Sequence, residues 1–333
     1  MKEFAKSLLR PIRQRLKEQV LHPAGRQVER SLTQALSRSR YLRYAASVVA
    51  DGLGAALAAG PEIYGAGYFG VERGNERRSG YVQYDRKTSR ANIAAYLLWK
   101  NFHFGTSLDV GCALGFLVEA LRELKVDAWG SDISADAISL AQAAVRPYLT
   151  QGDLSQGLPF EDGRFELISS FEILEHLPPE RVPDALAELA RVSRGHVLAT
   201  IPSFGPNPHG PGGWYPGKVR WARVDYYNSL GPEYDGPVPF YDLLKDADGT
   251  PIEGHLTIAS FRWWTRQFAR AGLERCPEIE AALQPDLERL GLRGIWDLYV
   301  LRKPGASAKP ARRSPEEVAE LEQRWGLGAA RPQ

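Results

Sequence analysis

Cysteine is nearly absent: the 333-residue chain has two, Cys112 and Cys276. Two cysteines build no disulfide framework, and their separation matches no zinc-ligand spacing. Net charge is close to absent too, at +2 from 42 Lys and Arg against 40 Asp and Glu. That withholds the basic footprint by which nucleic-acid binders attract phosphate. Long apolar runs are also missing. Arg10, Arg13, Arg15 and Lys17 interrupt any leader-like stretch near the start. The apolar segment 45–60 contains Asp51 and three glycines and is too short to span a bilayer. These shortages exclude a disulfide-stapled secreted module, a zinc finger and a membrane-spanning chain, and they point to a reducing cytoplasm.

What remains is ordinary globular material, 44% apolar and 25% charged. The length suits one large domain with extensions, or two domains. Residues 1–60 read as a helical, basic extension. Phe4, Leu8, Leu9, Ile12 and Leu16 fall at helical spacing, and residues 1–44 carry eleven Lys and Arg against three Glu. Such a stretch packs on the core or on a second subunit of a homodimer, and its alternative is weak contact with a membrane surface. Residues 61–100 read as a lid rich in Gly, Tyr and Arg, followed by an entry helix over 82–100. Residues 101–302 form the core, interrupted at 203–258 by an insertion on the acceptor side. Residues 303–333 are a polar tail with one helix over 314–325.

Within the core, short apolar strands alternate with helices. Strands are expected at 108–110, 126–131, near Tyr148, 165–170 and 195–201, then at 273–276 and 296–301. Helices are expected at 116–124, from Ser134 through Ala144, at 183–192 and at 261–271. This alternation predicts an α/β, doubly wound, mostly parallel sheet with helices on both faces. At the end of its first strand lies the most informative stretch, Leu108-Asp-Val-Gly-Cys-Ala-Leu-Gly115. Gly111 and Gly115 permit a tight turn and close ligand approach, and the helix that follows offers unused N–H groups. Asp132, 21 residues after Gly111 and at the end of the next apolar run, is placed to accept from two ribose hydroxyls. Together they predict a nucleoside-cofactor site.

Four segments in order resemble the class I S-adenosylmethionine-dependent methyltransferases, over roughly residues 80–302: the glycine loop, Gly130-Ser-Asp-Ile133, Gly152-Asp-Leu154, and Leu158–Ile168 running into Phe171-Glu-Ile-Leu-Glu-His-Leu177. The resemblance implies a Rossmann-like, seven-stranded sheet and S-adenosylmethionine as cofactor. Asp109, Gly111 and Gly115 would hold its methionine end and Asp132 its ribose. Asp153 would take the adenine amino group, with Ile133 and Leu154 on the ring faces, and Phe171 would lie beside the sulfonium. Ala113 departs from the family by replacing its usual central glycine. Alanine is the smallest possible intrusion and is read as tolerated; an inactive, methyltransferase-like binding protein is the alternative that this departure supports.

Methyl transfer to a hydroxyl gains from a base. His176 and His255 are the candidates, ahead of His209. A small-molecule or saccharide acceptor is expected, since residues 203–258 are rich in Trp and Tyr that suit sugars and flat rings. A second pattern stays open. Glu172, Glu175 and His176 fall at i, i+3 and i+4. With His255 they resemble the metal site of the small-RNA 3′-terminal 2′-O-methyltransferases.

Overall fold

The computed structural model describes residues 61–65, 68–69, 84–207, 235–238, 242–245, 251–292, 297–306 and 313–327. The extension at 1–60 lies outside them. The core begins with α1 (Ala91–Asn101), β1 (Thr106–Val110), α2 (Phe116–Glu123), β2 (Asp127–Asp132), α3 (Ala135–Leu140) and β3 (Leu149–Gln151). It continues through β4 (Phe165–Phe171), α4 (Val182–Val192) and β5 (Ser193–Thr200). After β5 come the short strands β6 (Ser203–Phe204), β7 (Asp242–Lys245), β8 (Pro251–His255) and β9 (Ala259–Ser260). Then follow α5 (Phe261–Arg270), β10 (Glu274–Arg275), α6 (Pro277–Arg289), β11 (Leu298–Arg302) and α7 (Pro315–Trp325).

Seven strands form one sheet in the order β10-β11-β5-β4-β1-β2-β3. β3, β2, β1, β4 and β5 run parallel, whereas β11 is antiparallel to β5 and β10 to β11. The chain therefore winds one way from β1 to β3 and the other way from β4 onward. Such a reversal opens a crevice beyond the carboxyl ends of the two central strands, here β1 and β4. Neighbouring strand residues feed opposite cores: Leu167 and Leu198 pack with α1 and α2, while Ile168 and Val197 pack with α4 and α5. This period of two is why the central strands read as unbroken apolar runs.

Four differences from the sequence-based reading have local causes. The entry helix starts at Ala91, not near 82, because Asp85 accepts from the N–H groups of Lys87 and Thr88 and Arg90 is left-handed at φ 56°. α3 keeps its Ser134 cap, which accepts from Ala137 N at 3.0 Å, but ends at Leu140 because Ala141 turns extended. α6 was not expected at all: Pro285 interrupts its pattern, yet Pro277 sits at its first turn with Glu278 and Glu280 beside it, the residues a helix start prefers. Finally, the polar tail is partly core. Ser314 closes a capping box on α7, Leu321 is buried against α1, and the Tyr96 hydroxyl donates to Glu322.

Candidate active site

The crevice holds a cavity of about 370 Å³, inside the roughly 300–1,000 Å³ of small-molecule sites. Its floor is the glycine loop. Gly111 N and Cys112 N both donate to Ser131 O, at 2.8 and 3.1 Å, which folds the loop over the end of β2. Gly111 (φ 76°) has no room for a side chain, since a Cβ there would lie 2.1 Å from Ile173 Cδ1. Gly115 (φ 78°) caps α2, and a Cβ on it would press on Leu149. Ala113, where the resemblance implies a glycine, is left-handed at φ 48°. Its N–H donates to Asp132 Oδ2 at 2.8 Å. Its methyl is buried among Tyr68, Phe69, Leu114 and Ala137, away from the hydrogen bonds that close the loop.

Two buried carboxyls stand above this floor. Asp109, opposite Ser169 in the β1–β4 register, accepts from its hydroxyl at 2.8 Å. Burial pushes Asp109 up to about 7; Ser169 opposes the shift and the charge of Asp132 adds to it. Asp132 is also raised by burial, against the N–H groups of Ser134 and Ala113, which donate to its two oxygens at 2.8 Å each. Gly152, Asp153, Leu154 and Ile133 line one side of the cavity and Phe171 another. The Asp153 carboxylate accepts from Ser155 N and Oγ and from Gln156 Nε2, and so shapes the turn after β3.

The opposite wall comes from the turn after β4. Glu172 is left-handed (φ 55°), and its N–H donates to Thr200 O and Oγ1 at 3.0 and 3.1 Å. Burial pushes its carboxyl up to about 7; Thr200 opposes this, nearby Asp297 adds to it, and Arg90 opposes it. A single 3-10 turn, Leu174–His176, follows. Leu256 N and Thr257 N donate to Glu175 O at 2.7 and 2.9 Å, and Thr257 Oγ1 donates to Leu177 O at 2.6 Å. These bonds stitch the chain after β8 onto the turn. His176 Nδ1 lies 2.8 Å from Gly254 O. A carbonyl only accepts, so Nδ1 carries the proton, and Nε2 holds the lone pair in the neutral ring. The rings of His176 and His255 meet edge to face at 5.3 Å.

Glu175, His176 and His255 bring one potential ligand atom each within 4.8 Å of the others. Glu172 is not in that group. The expected helical turn carrying Glu172, Glu175 and His176 is replaced by a left-handed residue and a 3-10 turn, which sends Glu172 toward Thr200 and Asp297. Sequence reasoning also missed Arg90, Tyr64 and Ile173 in the lining. The Tyr64 ring meets His176 edge-on at 6.2 Å, and Tyr64 O accepts from Ser134 Oγ, so Tyr64 touches both the turn after β4 and the chain after β2. His209 and most of the aromatic-rich segment 203–258 lie outside the described residues.

A family model described as a methyltransferase domain matches residues 108–195, which run from β1 into β5. The ubiquinone biosynthesis O-methyltransferase of Pectobacterium atrosepticum is 30% identical over 172 residues, 48% of this chain and 68% of that protein. The magnesium-protoporphyrin O-methyltransferase of Synechocystis is 26% identical over 126 residues, 35% of this chain and 54% of that protein. Against two other ubiquinone biosynthesis O-methyltransferases the chain spans 48% and 43% of their length. A solved S-adenosylmethionine-dependent methyltransferase from Methanosarcina mazei is 18% identical and covers 63% of this chain and 96% of its own, with a TM-score of 0.41.

Proposed function

Because the chain belongs to the class I S-adenosylmethionine-dependent methyltransferases, we propose that it methylates an oxygen of a small-molecule acceptor. The observation that carries this is one cavity lined both by Asp109, Gly111, Ala113 and Asp132 and by His176 and His255. The residues fit the cofactor: the loop has no space for a Cβ at Gly111 or Gly115, and Asp132 accepts hydrogen bonds at the end of β2, as a ribose requires. When bound, S-adenosylmethionine supplies an activated methyl group on a sulfonium. The protein contributes alignment and exclusion of water. Asp132 holds the ribose hydroxyls, Ile133 and Leu154 flank the adenine beside Asp153, and Phe171 shapes the wall at the carboxyl end of β4. His176, its Nδ1–H directed to Gly254 O, presents Nε2 as the acceptor for a hydroxyl proton, with His255 beside it.

A second reading uses the same wall. A carboxylate and two imidazoles suit a divalent cation, and Glu175, His176 and His255 converge as such a set. A bond from the metal ligand's other ring nitrogen to a backbone carbonyl is the usual way such a histidine is held. The aromatic composition of 203–258 supports a saccharide or natural-product acceptor.

Calorimetry with S-adenosylmethionine and S-adenosylhomocysteine, followed by mass spectrometry of acceptor mixtures for a gain of one methyl, tests the reading. Absence of binding at millimolar cofactor would sink it. Activity that survives exhaustive chelation eliminates the metal-dependent version.

A further inference from the structure

The seven-stranded sheet is complete at Arg302, yet the chain goes on to add α7 at Pro315–Trp325. That helix contributes no strand, and none of its residues lines the cavity. Its contacts nevertheless converge on elements that do. Leu321 is buried in the core cluster that also contains Ala91, Ala94 and Leu117 of the cavity lining. The Tyr96 hydroxyl of α1 donates to Glu322, and Arg289 of α6 reaches the same carboxylate at 2.9 Å. Arg289 also donates to Leu327 O at 3.0 Å. Arg313 Nε, just before the helix, donates to Trp99 O at 3.2 Å. The tail therefore grips α1 along its length.

A second contact reaches the turn at 84–90, from which Tyr84, Thr88, Ser89 and Arg90 line the cavity. Arg86 in this turn donates to both Glu123 oxygens of α2, at 2.5 and 2.8 Å, and from Nε to Asn92 Oδ1 at 2.6 Å. The fork ties the turn to α1 and α2. Side-chain exposure is 27% for Arg86 and 41% for Glu123, and an ion pair so open to water contributes little on its own. Here the guanidinium lies over the Trp325 ring, 5.8 Å from its centroid. The ring adds a cation–π attraction and removes water from one face of the pair. The last aromatic of α7 thus sits against the outer side of the turn whose inner side lines the cavity.

We propose that Trp325 and Arg86 are positioning residues: docked α7 holds the turn at 84–90 in place, and a cofactor in the cavity strengthens that docking in return. The assignment rests on the cofactor reading above. Neither residue lines the cavity, so both act through the turn. Reciprocity follows from linkage, because a ligand that prefers the held turn stabilises whatever holds it.

The test uses the full chain with S-adenosylhomocysteine as the probe. Saturating ligand is expected to slow hydrogen exchange of the α7 amides from Val318 to Arg324 about fivefold, the lower end of the range for coupled sites. By calorimetry, Trp325→Ala and Arg86→Ala should each weaken the ligand roughly 5- to 20-fold. Trp325→Phe, which keeps a ring, should recover most of that loss. The double variant should be little worse than either single one, since both remove one contact. Leu283→Ala, a truncation in the same core cluster on α6, should lower the melting temperature without weakening the ligand. Exchange in α7 that ignores the ligand overturns the proposal, as does undiminished affinity in Trp325→Ala. A loss in Leu283→Ala as large as in Trp325→Ala marks a merely structural role and overturns it too. A wild-type chain that does not bind the probe overturns the cofactor reading together with this one; wild-type binding with any of those results overturns this one alone.

Discussion

The two halves of the cavity are built on different principles. The half proposed for the cofactor is held by backbone. Gly111, Cys112 and Ala113 donate to Ser131 O and Asp132, and Ser134 closes the set. All of it lies within 24 residues, so once β1 and β2 pair the geometry is nearly complete. The half proposed for the acceptor is held by side chains and distant strands. Gly254 fixes the His176 ring from 78 residues away, and Leu256 and Thr257 pin Glu175. The difference teaches that the first half is a cradle closed by backbone N–H groups, whereas the second is a wall of side chains set by distant strands, with a buried Glu172 Oε1 that has no hydrogen-bond partner among the described residues. Cradle substitutions should therefore act on binding and stability together. Wall substitutions should act on one step at a time.

The largest effect is expected for Asp132→Ala. Two buried N–H groups lose their acceptor, a cost of roughly 1–3 kcal/mol each. The ribose loses its partner as well, so S-adenosylhomocysteine affinity should fall on the order of 1,000-fold by calorimetry, together with a lower melting temperature. Normal affinity would break the cradle picture.

His255→Ala comes next. Turnover with the true acceptor should drop about 100-fold, the scale of a lost general base, while S-adenosylhomocysteine affinity stays within about twofold. Unchanged turnover would remove His255 from the chemistry. A loss of cofactor binding would erase the separation between the two halves.

A smaller, graded effect is expected from pH. Asp109 and Glu172 each sit near 7 in the folded, ligand-free chain, above their unfolded values, so the folded state keeps their protons longer. Stability of the ligand-free protein should decline as pH rises from about 4 to about 7 through these two groups, and level off above. A cation bound beside Asp109 reverses the sign, because it favours the ionised carboxyl. S-Adenosylhomocysteine affinity should weaken by up to about tenfold for each pH unit below 7, with proton release on binding. Affinity flat from pH 6 to 8 would argue against Asp109 as a ligand.

Ala113→Gly should do least. Leaving a left-handed alanine relieves about 1–2 kcal/mol. Extra freedom in the unfolded chain costs about 0.4–1 kcal/mol, and the lost buried methyl about 0.8 kcal/mol. The net is close to zero, with affinity within about threefold. A gain above tenfold would mean that the methyl obstructs the cofactor and would revive the reading of a protein with impaired activity.

Legibility from sequence follows the same division. Gly111, Gly115 and Asp132 were readable because a turn, a helix start and a strand end each leave a local signature. The parallel order of the central strands was readable from their alternation with helices. Glu172 was misplaced because helical spacing assumes a helix, and the backbone there is left-handed and then 3-10. Arg90 carried no signal, since one arginine in a turn resembles any other until α1 is seen to start behind it. α6 was hidden by Pro285, whose flanking residues hold the helix regardless.

The sequence by itself determined the α/β sheet, the glycine cradle and the cofactor class, because these depend on residues close together along the chain and on conformations that few residue types allow. Only the tertiary structure decided that His176 meets His255 and Glu175, that Ala113 packs with Tyr68 and Phe69, and that Arg90 and Glu172 line one cavity. Those relations arise where β4 and β5 depart from β1 in the opposite direction to β2. That reversal brings residues some 80 positions apart into one chamber, a distance over which sequence spacing carries no geometry.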